Sequence, residues 1–134
     1  MAKNISLLGA DYPNVPAVQL PQTGGGTATF YDIEKTEADL SVESGVEKAS
    51  GLPSKCVKSG NVVTIYFALT MTENKASGAR IAVIPDGYRP TYQFRSVTYM
   101  TDGYARFEIN EFGSITLYSA LSSGKSIVGI ATYI

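Results

Sequence analysis

Val63-Thr64-Ile65-Tyr66-Phe67-Ala68-Leu69-Thr70 sets Val63, Ile65, Phe67 and Leu69 against Thr64, Tyr66, Ala68 and Thr70. Side chains on an extended chain point alternately to opposite faces, so this period of two predicts a strand with one face in a core. Five further runs follow at similar spacing: 80–84, 92–100, 104–110, 114–119 and 126–134. Between them lie Asp86-Gly87, Asp102-Gly103, Phe112-Gly113 and Ser123-Gly124, pairs whose glycine allows a tight reversal. No stretch here has convincing helical periodicity. Short strands at spacings of about ten residues therefore predict an all-β, antiparallel β-sandwich or jelly-roll-like domain over residues 59–134.

Upstream of this block the pattern weakens. Pro13, Pro16, Pro21 and Gly24-Gly25-Gly26 interrupt every long element, which leaves short extended pieces near 3–8, 15–20 and 27–33. Residues 1–33 thus read as an extended segment. Residues 34–58 read as a connector, with 36–50 a linker or short strand, because acids cluster there around Ala38, Leu40, Val42 and Val46 while Gly45 and the alternating apolar residues argue against a long helix.

The last run, Ser126-Ile127-Val128-Gly129-Ile130-Ala131-Thr132-Tyr133-Ile134, is apolar on both faces and carries no charged side chain. Left at an open edge, such a strand would pair with other chains. It is expected either in the centre of the sheet or beneath another subunit.

Placing Asp102-Gly103 in a two-residue hairpin turn pairs Thr101 with Tyr104, Met100 with Ala105, Tyr99 with Arg106 and Thr98 with Phe107. Thr98, Met100, Ala105, Phe107 and Ile109 then share the core face. The other face collects Arg95, Val97, Tyr99, Tyr104, Arg106 and Glu108. Aromatic rings offer surfaces for the C–H faces of sugars, and charged donors and acceptors suit their hydroxyls, so Arg95, Tyr99, Tyr104, Arg106 and Glu108 form a candidate ligand-binding set. A solvated face with ordinary cross-strand pairs and a subunit contact fit the same residues.

Composition narrows the chemistry. The 134 residues include no histidine, no tryptophan and one cysteine, Cys56. A nucleophilic thiol would need an activating base, so Cys56 reads as a small apolar filler. Gly124-Lys125-Ser126 ends like a phosphate-binding loop, but Ser119 stands where its first glycine is required. Ser122 and Lys125 have a nucleophile spacing that needs a helix, whereas the surrounding glycine predicts a turn. Asp32 and Glu34 lie in a polar segment where solvation explains them better than glycoside hydrolysis. No enzyme activity, cofactor or metal site is expected.

Eleven basic and twelve acidic residues give a net charge of −1, so no global field draws the chain to nucleic acid. The opening residues lack the apolar run of a secretory signal, and no stretch is long enough for membrane insertion. Residues 1–50 hold seven acids and three bases, and residues 51–134 hold five and eight, which points to two parts with different jobs.

The opening Ile5-Ser6-Leu7-Leu8-Gly9-Ala10-Asp11-Tyr12-Pro13-Asn14-Val15-Pro16-Ala17-Val18, with Leu20-Pro21 and Gly24-Gly25-Gly26-Thr27-Ala28-Thr29-Phe30, resembles the start of small virion proteins of phages and prophages of Gram-positive hosts. Ile84-Pro85-Asp86-Gly87-Tyr88-Arg89-Pro90 and Gly113-Ser114-Ile115-Thr116-Leu117-Tyr118 resemble segments of the head domains of tail-fibre and receptor-binding proteins. The resemblance implies a homotrimeric virion appendage in which residues 1–33 anchor to other virion proteins and receptor sites lie on the head or between subunits; taken with the tyrosine-arginine hairpin face, it leads to the expectation that the head meets a host cell-surface glycan. A capsid decoration or head-fibre protein without a specific ligand is the alternative it implies. It transfers no binding residues, since such heads share a fold while their ligands differ.

Overall fold

The computed structural model describes residues 2–3, 19–21, 27–31 and 34–134. The chain divides between Glu34 and Lys35 into two units. In the first, β1 (Ala2–Lys3), β2 (Gln19–Pro21) and β3 (Thr27–Tyr31) form a small antiparallel sheet in the order β1-β3-β2. The remaining residues of the expected extended pieces lie outside the described ones.

The second unit has ten strands: β4 (Lys35–Asp39), β5 (Ser41–Val42), β6 (Val46–Lys48), β7 (Lys55–Ser59), β8 (Val62–Met71), β9 (Arg80–Val83), β10 (Phe94–Met100), β11 (Gly103–Ile109), β12 (Ser114–Leu117) and β13 (Ser126–Tyr133). Every pairing is antiparallel, in the order β4-β7-β8-β13-β10-β11-β12-β9-β5, and β6 also pairs with β8. Only a short turn separates β5 from β6, closed by Val46 N–H donating to Glu43 O at 3.1 Å. The sheet therefore curls nearly into a closed, barrel- or sandwich-like arrangement. The fold is all-β and antiparallel, as the alternation from Val63 predicts.

The stretch expected as a connector, 34–58, supplies β4, β5, β6 and most of β7 to this sheet. One edge of β8 is shared between them: β7 pairs with Val62–Tyr66 and β6 with Leu69–Met71. At the handover, buried Ser54 donates through Oγ to Ala68 O at 3.0 Å and accepts from Ala68 N–H at 2.9 Å. Ala68 O also accepts from Ala49 N–H at 2.8 Å, just past β6, so the hydroxyl supplies the partner for Ala68 N–H and a second donor for Ala68 O. The outer strand β4, Lys-Thr-Glu-Ala-Asp, is exposed and charged, which discourages pairing with other chains.

The long strands β8 and β13 pair from Ser126↔Thr70 to Tyr133↔Val63. This places the uncharged last strand in the sheet centre, between β8 and β10, the first of the two positions expected for it. Its inner residues Ile127 and Ala131 join a core with Ile65, Leu69, Met71, Ile81, Ile109, Ile115 and Leu117. Phe67 and Phe107 meet there edge to face, ring centroids 5.2 Å apart. Cys56 lies fully buried in the same core, where burial first and then nearby Asp39 push its thiol up to about 12. That environment suits packing and disfavours the thiolate.

The hairpin register differs from the expected one. Met100 pairs with Gly103, so Thr101-Asp102 form the loop; Tyr99 faces Tyr104, Thr98 faces Ala105, Val97 faces Arg106 and Arg95 faces Glu108. The turn places its positive φ on Gly103, at 148°, and among the described residues no other type has one. Contacts beyond the turn select this arrangement. Thr101 N–H donates to Ser126 O, Thr101 Oγ1 accepts from Ser126 N–H, both at 3.1 Å, and Asp102 pairs with Lys125. The expected register would also have set Glu108 opposite Val97, with no cation directly across from a buried carboxylate. The slip changes each residue's partner by two positions. Because two is the pleat period, the membership of each face survives.

Candidate functional site

The outer face of β10 and β11 is where the sequence places its candidate residues, and the observed register sorts them into two groups. Arg95, Arg106 and Glu108 gather beside β12, whereas Tyr99 and Tyr104 sit at the hairpin tip. The first group borders a cleft of about 320 Å³ lined by Ser77, Arg95, Ser96, Val97, Arg106, Phe107 and Tyr118.

Glu108 is the buried member. Its side chain is 11% exposed and accepts a hydrogen bond from Arg95 Nε–H at 2.7 Å, while the Arg95 side chain is 66% exposed. The pair is thus anchored at one end and wet at the other. This hydrogen bond, with Tyr118 and the Glu108 charge adding to it, holds the Arg95 guanidinium above its ordinary pKa. The guanidinium carbon also lies 4.5 Å from the centre of the Tyr118 ring, a cation–π geometry that limits its swing.

Arg106, opposite Val97 on β11, also lines the cleft. Its Nη2–H donates to Tyr118 O at a long 3.4 Å, while its backbone N–H donates to Ser119 Oγ at 3.0 Å and its carbonyl accepts from Tyr118 N–H at 2.7 Å. The backbone is therefore fixed and the charged head largely free. Ser77 comes from the loop between β8 and β9, and Ser96 from β10.

Tyr99 and Tyr104 stack at 5.3 Å between ring centroids, each 67% exposed. Tyr99 pairs across the other edge of β10 with exposed Val128. With Val97 and Ile130 these residues make an apolar surface beside the charged cleft. Sequence reasoning did not include Ser77, Ser96 or Tyr118 in the candidate site. Tyr118 continues the alternation of Ile115 and Leu117 against Thr116, so the β11–β12 register could have brought it next to Arg106; Ser77, in a loop, carries no periodic signal.

A second cleft of about 300 Å³, between 90–94 and 132–134, has no charged side chain among its lining residues. Among the described residues, no three histidine, cysteine or carboxylate side chains cluster to hold a metal, and no helix is long and apolar enough to cross a membrane. In comparisons with known proteins, no family model and no curated protein matched the chain.

Proposed function

We propose that this chain is a phage virion structural protein, with residues 1–33 joining it to other virion proteins and the β domain displayed outward, as a homotrimer, to hold host cell-surface carbohydrate. The cleft beside β12 carries this reading. It combines an oriented guanidinium, a second free one, a serine of the β8–β9 loop and the Tyr118 ring in a volume suited to a small saccharide. Three linked copies of a weak site would give useful avidity on a repeating surface polymer. The sequence resemblances to virion proteins and tail-fibre heads supply the setting.

The test is binding of purified protein to host envelopes and a glycan array. Wild-type protein should be retained, and Arg106→Ala should lose retention without a change in melting temperature. A folded protein that binds neither envelope nor glycan overturns the recognition role. The alternative, a capsid decoration or head-fibre protein, draws support from the exposed apolar surface of Val97, Tyr99, Tyr104, Val128 and Ile130. Electron microscopy of the particle separates the two. A baseplate or fibre-tip position favours recognition, and a capsid-lattice position favours decoration.

A further inference from the structure

Charge is distributed unevenly between the cleft and the rest of the chain. The chain as a whole has a net charge of −1, yet the cleft lining holds two guanidinium groups and no carboxylate. Glu108, the nearest acid identified in the site, is not part of that lining; it is buried and already occupied by Arg95 Nε–H. Arginine has five N–H donors, and this contact uses only one of those of Arg95. Arg106 has a single side-chain hydrogen bond among the described residues, the long one to Tyr118 O. Both cations are therefore positioned by the protein without being fully satisfied by it.

Resting on the carbohydrate reading above, we infer that the cleft selects an acidic saccharide, one whose carboxylate or phosphate is gripped between Arg95 and Arg106. Planar guanidinium groups match both anions with paired hydrogen bonds, and two of them facing one cleft favour an anion over a neutral hydroxyl. The sugar ring accounts for the remainder of the lining. Val97 and Tyr118 provide apolar surface for its C–H groups, while Ser77 provides a hydroxyl partner. A bare anion would leave that surface unused.

NMR titration of the full chain with methyl glucuronide, a glucose phosphate, methyl glucoside and inorganic phosphate tests the selection. At least one acidic sugar should bind tenfold or more tighter than both methyl glucoside and inorganic phosphate, and which one does identifies the anion. Its affinity should fall with added salt, because exposed charges are screened. Arg106→Gln, at an exposed position, should lower affinity for the acidic sugar at least tenfold more than it lowers affinity for methyl glucoside.

Equal binding of glucuronide and glucoside would overturn acidic selection and leave carbohydrate recognition standing. Equal binding of inorganic phosphate would show an anion site without sugar recognition. If neither these sugars nor the glycan array yields binding by folded protein, both readings fail together.

Discussion

On the outer face of the β10–β11 hairpin, two surfaces of opposite character share the same strands. Toward β12, Glu108 is built into the protein at 8% exposure and holds Arg95, which in turn lies over Tyr118. Toward the tip, Tyr99 and Tyr104 stack on each other at 67% exposure and adjoin Val128, and among the described residues the only buried charged side chain is Glu108. The charged half is tied into the fold and the apolar half rests on top of it. Function and stability are consequently coupled at the Glu108–Arg95 pair and separable at exposed Arg106 and in the apolar half, which sets an order of effects for substitutions.

The largest effect should come from the floor that the two halves share. Gly129 lies in β13, and a Cβ placed there would fall 2.5 Å from Phe67 Cζ and also overlap Thr98. Neither neighbour can withdraw cheaply: Phe67 is locked against Phe107, and Thr98 donates through Oγ1 to Val128 O. Gly129→Ala should therefore destabilise the domain by about 3 kcal/mol in urea unfolding and disturb both surfaces. An unchanged midpoint would mean that β13 stands farther from the core ring than described.

Within the charged half, Glu108→Gln keeps the shape and removes the charge. The exposed end of Arg95 can be rehydrated, so the cost should be about 1 kcal/mol, well below that of breaking a fully buried pair. The indole-free chain can be followed by tyrosine fluorescence or circular dichroism during denaturation. The Arg95 side chain should also lose its fixed position over Tyr118, visible as collapse of its distinct Nε–H resonance. A variant as stable as wild type that retains this resonance would show that the pair does not order the cleft.

What the sequence revealed of this face follows from the pleat. Alternation told which residues of 95–108 share a side, and a register error of two positions left that information intact. Partner identity was a different matter, because it depended on Thr101 and Asp102 reaching Ser126 and Lys125 across another strand. Such contacts join residues distant in sequence and leave no local pattern. The same limit hid β4 to β7. Lys35–Asp39 is an exposed edge strand with Ala38 as its sole apolar residue, and Ser41–Val42 is too short to display any period. Tyr118 entered the cleft through the β11–β12 pairing and Ser77 through a loop, so the candidate site was legible as a face but not as a cavity.

The apolar half should give the smallest change in stability and the clearest change in association. Tyr99, Val128 and Ile130 are exposed in the isolated chain, and together with Tyr104 and Val97 they leave several large apolar side chains adjacent in water. Serine at Tyr99 and at Ile130 removes ring and aliphatic surface that the core does not use. The double variant Tyr99→Ser/Ile130→Ser should unfold within about 0.5 kcal/mol of wild type, as exposed substitutions do. If this half is the subunit contact of the proposed trimer, sedimentation should show wild-type trimer and variant monomer at the same concentration. Saccharide titration of the variant then separates the halves: per-chain affinity should remain that of wild type, because Arg95, Arg106 and Tyr118 are untouched, while retention on a multivalent surface falls with the loss of linked copies. A variant that stays trimeric would remove the apolar half from the subunit contact, and one that loses per-chain affinity would show that the two halves act as a single site.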